Sequence, residues 1–268
     1  MAQLMKKRHI GETDVALSML SLGTVKLGRN QSVKYPTAFD LPSDDDASFL
    51  LDIARHAGIS TLDTAPAYGY AEERIGKLLK GQRQHWQIIT KAGEKFSAES
   101  NESNYDFSPK GLRKSLENSL RQLQTDYIDC WMIHSDGNDI ERLNDDIILC
   151  LQKAKQEGLV RSIGMSTKTV EGGEYALHHL DCIMMTASLE NTVETALFST
   201  ALQLKKSVIL KKIYDSGWAL TSDNKTDIMR NTMHQFFHHD AVCSAIIGTI
   251  NPTHLQENIT AFEEAMLL

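Results

Sequence analysis

What constrains this chain most is a rhythm: eight short apolar runs, each followed by a segment with helical period. The runs fall at 19–24, 59–62, 86–91, 127–134, 160–166, 182–186, 208–212 and 242–248. Runs of that length, too apolar to spare a polar face, suit strands of a sheet covered on both sides. Between them lie helix signals. Ser43 before Asp44, Asp45 and Asp46 is an N-cap with an acidic first turn, and Gly58 stops the helix that follows. Ser108-Pro109 opens another, with Leu112, Leu116, Leu120 and Leu123 as its stripe. Further helices are expected at 140–157, 170–179, 194–205, 226–238 and 252–265. Strand and helix alternating eight times, with no break in composition, predict an α/β fold: one (β/α)8 TIM barrel domain over residues 1–268. Two short runs about a turn at 7–17 predict an N-terminal β-hairpin that plugs the barrel bottom.

Composition narrows the partners. A net charge of −7 argues against nucleic acid. There is no run of eighteen apolar residues for a membrane span, and the first residues lack a signal peptide's apolar stretch. Four cysteines occur without Cys-x-x-Cys spacing. Cys130, Cys182 and Cys243 sit inside apolar runs, as reduced, buried thiols of a cytoplasmic protein would. No metal site is expected. His178-His179 and His238-His239 are neighbours near helix ends, and adjacent helical residues do not face one another as ligands must. The sequence carries no signal of oligomeric state.

In such a barrel, chemistry sits where the strands end. The second run closes on Leu62-Asp63, and a tight loop, Thr64-Ala-Pro-Ala-Tyr68-Gly69, carries a tyrosine. The third run ends in Lys91 and the fourth in His134. A free tyrosine, with a pKa of about 10, is a poor acid. A lysine beside it favours the tyrosinate and is expected to lower that pKa, while an aspartate holds the lysine in place. Tyr68 is therefore the expected proton donor, Lys91 and Asp63 its supports, and His134 a hydrogen-bond donor to a developing oxyanion. A Schiff-base role would instead need Lys91 or Lys212 neutral and desolvated. Loops at 26–42 and 92–107 should wall the pocket, with Tyr35, Phe39, Tyr70, Phe96 and Trp218 as aromatic candidates.

The Asp-Thr-Ala-x-x-Tyr-Gly segment, the Thr-Lys closing the next run and the Ile-His closing the one after resemble the signature tetrad of the aldo-keto reductases. Leu22-Gly23-Thr24, Ile163-Gly-Met-Ser166 and Ile247-Gly-Thr249 with Glu257-Asn258 extend that resemblance along nearly the whole chain. It implies reversible hydride transfer between NADP, with NAD possible, and a small-molecule aldehyde or ketone. It also implies a cofactor site built from Gly23, Thr24, Ser166, Thr167, Lys211, Lys212, Gly248, Thr249, His254, Glu257 and Asn258. Ser166 and its neighbour would meet the carboxamide, and Lys211-Lys212 the pyrophosphate. Gly248, Thr249 and a protonated His254 at the last helix N-terminus would meet the 2′-phosphate, and Glu257 and Asn258 the adenine. Thr167 and Thr186 stand where the family carries Asn and Gln, and Gly248 and His254 where many members carry Lys and Arg. A cofactor-binding regulatory barrel with little turnover is the competing expectation.

Overall fold

The computed structural model describes residues 5–221 and 224–268. Eight parallel strands close into a barrel: β1 (Leu20–Gly23), β2 (Thr61–Asp63), β3 (Gln87–Ala92), β4 (Ile128–His134), β5 (Val160–Ser166), β6 (Cys182–Thr186), β7 (Ser207–Lys211) and β8 (Val242–Ile247). The closing seam pairs Ala245 of β8 with Leu20 of β1. The helices that follow them in turn are α1 (Asp44–His56), α2 (Ala71–Leu78), α3 (Pro109–Gln122), α4 (Asp145–Gln156), α5 (Val170–His179), α6 (Leu197–Gln203), α7 (Lys225–Phe237) and α8 (Pro252–Ala265). The (β/α)8 architecture expected from the alternating runs is therefore the one formed.

Side-chain caps set several helix starts. Ser43 and Asp46 form a reciprocal capping box on α1. The Ser108 side chain accepts from Gly111 N ahead of Pro109 on α3. Asn144 accepts from Ile147 N at 3.2 Å, so α4 begins at Asp145 and the preceding Glu141–Leu143 winds as a separate 3-10 turn. The expected helix at 194–205 is divided in the same way, with a 3-10 turn at Val193–Ala196 ahead of α6.

The predicted hairpin is present, Lys7–His9 against Ala16–Ser18. Its Ile10, Val15 and Leu17 pack with Ile89, Cys130, Met132, Cys182, Met184 and Ile209 in one buried cluster. Those strand residues are the inward-facing ones, because side chains alternate along a strand. Their flanking neighbours, such as Ile88, Trp131, Ile183 and Leu210, face the helices in the larger outer core. The same period decides what tops the interior. Two residues beyond Ile89 comes Lys91, beyond Met132 comes His134, and beyond Ile209 comes Lys211. The apolar filling thus carries an ionisable layer at the strands' C-terminal ends. No described helix is long and apolar enough to cross a membrane, and no three described His, Cys, Asp or Glu side chains converge as a cation site.

Candidate active site

Asp63 is the last residue of β2 and pairs with Gly23 across β1. The turn after it winds once as a 3-10 helix, Pro66–Tyr68. Gly69 leaves that turn at φ +64, and a Cβ there would come within 2.3 Å of Gly28 O. A Cβ on Gly28 would in turn lie 2.5 Å from Tyr68 O. The helical turn Val25–Gly28, in a stretch expected to be loop from 26, and the Tyr68 turn therefore meet backbone to backbone, which only glycines permit. Arg29 adds a tie by donating to the carbonyls of Gln31, Ala67 and Ser32, with its guanidinium over the Phe96 ring.

These contacts deliver Tyr68 to Lys91. Lys91 Nζ donates to Asp63 Oδ1 at 2.5 Å, to Thr64 O at 3.0 Å and to the Tyr68 hydroxyl at 3.0 Å. The phenol donates in turn to Asp63 Oδ2 at 3.3 Å. Lys91 is 1% exposed, so its carboxylate partner is what allows a cation there at all. Sequence reasoning expected Lys91 to lower the tyrosine's pKa. The structure corrects the direction: burial first, then the Asp63 charge, hold Tyr68 well above 10.0. The resting phenol keeps its proton firmly.

His134 closes β4 beside Tyr68, with ring centroids 6.3 Å apart and planes at 90°. Its Nδ1 lies 3.0 Å from Glu94 Oε2, although the N–H is not aimed squarely at that oxygen. Glu94 was not foreseen. The stretch expected to be a polar cover at 92–107 contains a hairpin, Glu94–Ser97 against Glu102–Tyr105. Ser103 on its second strand donates to Glu94 Oε1 at 2.6 Å, which leaves Oε2 to face the imidazole. Burial alone would raise the Glu94 carboxyl, but the neighbouring His134 ring, the Ser103 hydrogen bond and the Arg29 charge bring it down to about 2. Burial pushes His134 below 6.5, against the pull of Glu94 and with Lys91 and Lys211 adding to the fall.

A cavity of about 630 Å3 is lined by this cluster and by Gly23, Ser166, Lys211, Lys212, Gly248 and Thr249. His254, Glu257 and Asn258 line it as well. Thr24 does not: its hydroxyl is buried and donates to Asp63 O at 2.8 Å, tying β1 to β2. Thr167, expected as a cofactor contact, does not line the cavity either: it is fully buried beside Glu194. Lys211 and Lys212 diverge. Lys211 turns inward and donates to Ser166 Oγ at 2.7 Å and Thr167 O at 2.8 Å. Lys212 is exposed, at φ +56. The start of α8 has its first backbone amides already capped. Asn251 Oδ1 accepts from Thr253 N and His254 N at 2.8 and 3.4 Å, so a phosphate there would rely on side chains. Lys225, missed in the sequence, supplies one: it lines the cavity and pairs with Glu257 at 2.6 Å. Of the aromatic candidates, Tyr35 lines the cavity, with Phe39 against its edge, while Tyr70 and Trp218 are largely exposed.

A model of the aldo/keto reductase family matches residues 19–235. A structure assigned to the aldo-keto reductases, from Pseudomonas aeruginosa, superposes with a TM-score of 0.86 at 41% identity, covering 97% of this chain and 96% of that one. The oxidoreductase YqkF of Bacillus subtilis is 33% identical over 165 residues, 61% of this chain and 49% of that protein. The L-galactose dehydrogenase of Arabidopsis thaliana is 33% identical over 176 residues, 63% and 51% of the two chains. The chain thus spans about half the length of these two curated relatives.

Proposed function

The chain belongs to the aldo/keto reductase family, and from that membership we propose that it reduces the carbonyl of a small aldehyde or ketone, with Tyr68 as proton donor and NADPH as the preferred cofactor. The observation that carries this reading is Lys91, buried and bridging Asp63 to the Tyr68 hydroxyl at the cavity wall.

The cofactor side suits a dinucleotide. Gly23 and Gly248 present backbone rather than side chains to the cavity, and a Cβ on Gly23 would press on Ile246 at 2.8 Å. Asn258 Oδ1, on a residue of the cavity wall, is a buried polar atom that lacks a partner, and such an atom costs stability unless something bonds it. In the proposed site Ser166 and Lys211 hold the carboxamide, and Lys212 faces the pyrophosphate. His254 and Lys225 meet the 2′-phosphate beside Thr249, while Glu257 and Asn258 meet the adenine. A bound reduced nicotinamide supplies the hydride.

The protein supplies the proton and the field. Negative charge grows on the carbonyl oxygen as its carbon is reduced. Tyr68, still protonated because of burial and Asp63, gives its proton to that oxygen, since an alkoxide is a far stronger base than a phenolate. Lys91 then stabilises the tyrosinate left behind. His134 orients the carbonyl. With Glu94 facing Nδ1, a donor at Nε2 requires the imidazolium, which Glu94 favours. Glu94 thus acts through His134 and is a positioning residue.

Deuterium tracing tests the reading: NADPH deuterated at C4, a reactive aldehyde, and mass analysis of the alcohol. Deuterium on the alcohol carbon, dependent on Tyr68, is the expected result. An unchanged aldehyde with bound cofactor would refute it.

A further inference from the structure

Two lysines reach the cavity from inward positions at strand ends, and their surroundings differ. Lys91 is pinned to Asp63 at 2.5 Å. Lys211 makes no ion pair with any described residue. Its Nζ donates to Ser166 Oγ and Thr167 O, at 2.7 and 2.8 Å. A neutral amine that gives two N–H bonds in this way keeps its lone pair for the remaining tetrahedral direction, and Lys211 lines the cavity. The groups around it come from several elements: Lys91 on β3, His134 on β4, Lys168 after β5, Glu194 after β6 and Lys212 after β7. All but Glu194 are basic. Burial, then the Lys212 charge, bring the Lys211 ammonium down to about 7, with Glu194 opposing and Lys91 and Lys168 adding.

The same lining carries Lys34, Lys168 and Lys212, close enough that Lys34 and Lys168 depress the Lys212 ammonium, after burial. In a chain of net charge −7, this concentration of cations at one opening favours anions.

We propose that Lys211 is a nucleophilic site which, in the cofactor-free protein, captures aldehydes bearing a carboxylate or phosphate as a reversible imine. The amine nitrogen attacks the carbonyl carbon to form a carbinolamine. The carbonyl oxygen then leaves as water with the two amine protons, giving C=N. No electrons are exchanged, so no oxidant or reductant is needed. Lys34, Lys168 and Lys212 hold the anionic group while this occurs. This inference rests on the cavity and not on the reductase reading.

The experiment uses cofactor-free protein and mass rather than turnover, so its failure is distinct from failure of that reading. The protein is mixed with 4-carboxybenzaldehyde or with benzaldehyde, borohydride is added, and the adduct is mapped by peptide mass. The expected result is one dominant adduct on Lys211, formed about tenfold faster with the charged aldehyde and in rising yield from about pH 6 to pH 8 as the amine loses its proton. Lys211→Arg, which stays protonated, abolishes that adduct, and so does Lys211→Met. The melting temperature of each variant confirms that it is folded. Labelling spread over other lysines, or an Arg variant labelled as fast as wild type, overturns the proposal. Equal capture of benzaldehyde overturns the anionic assignment.

Discussion

The two halves of the barrel mouth are built on different principles. At the ends of β2, β3 and β4 each buried charge has its counter-charge: Lys91 with Asp63 at 2.5 Å, and His134 with Glu94 at 3.0 Å. At the ends of β5 to β8 the balance is left open. Lys211 rests on a hydroxyl and a carbonyl without an ion pair, and Asn258 Oδ1, on a residue of the cavity wall, is buried without a partner. A half whose charges face one another keeps its protons where chemistry needs them, even though Thr64 Oγ1 and His134 Nδ1 there lack a well-aimed hydrogen bond. A half with spare donors and acceptors is complementary to something brought from outside. The first reads as reaction machinery and the second as a binding surface.

Substitutions can break this division. Tyr68→Phe should lower carbonyl turnover about 10³-fold while the cofactor dissociation constant, from fluorescence titration, stays within about twofold. A large loss of cofactor affinity would mean the halves are not separable. Lys91→Met strands Asp63 in the interior, and denaturant unfolding should show a loss of about 3–5 kcal/mol. The matching change on the other side, Lys211→Met, breaks no ion pair, although it removes the charge that pulls down the buried Glu194 carboxyl. It should cost less stability than Lys91→Met and weaken cofactor binding about tenfold, as loss of a hydrogen bond at the site does.

The pH dependence sharpens the comparison further. Because burial keeps His134 below 6.5, its imidazolium fraction grows as pH falls, and reduction should speed up as pH drops through that range. Glu94→Gln removes a group that raises His134, so the same rise should move to lower pH, with turnover at neutral pH reduced about tenfold. The smallest effect concerns stability. Burial raises the Glu72 carboxyl to about 7, although Thr90 donates to it at 2.6 Å. The folded state thus holds a proton that the unfolded chain releases near 4.5. Stability is full below that value, falls as pH rises to about 7 and then levels off. Glu72→Gln should flatten that slope in thermal melts.

Much of this was legible in the sequence. The bounds of β5 and β6 and of α5 and α8 are those the pattern predicts, because apolar runs there end abruptly at caps and turns. The tetrad was legible because each member ends a strand or follows one. Glu94 was not. Its hairpin is polar, with Glu102-Ser103-Asn104-Tyr105 as one strand, and its partner His134 lies forty residues away on another strand. The direction of the Tyr68 shift needed the burial around the ring, which no spacing contains. Lys211 was named beside Lys212, and its inward turn could have been read as well: Ile209 packs inside the barrel, and the residue two further on must share its face. Lys225 could not, since its place beside Glu257 depends on how α7 packs against α8.

The most direct test of the account is titration of the purified protein with NADPH and NADH, followed by turnover of a reactive aldehyde by wild type and Tyr68→Phe. The account predicts NADPH binding by both proteins and turnover by wild type alone. Tight binding with negligible wild-type turnover across a broad panel of carbonyls would contradict it and leave a regulatory barrel in its place.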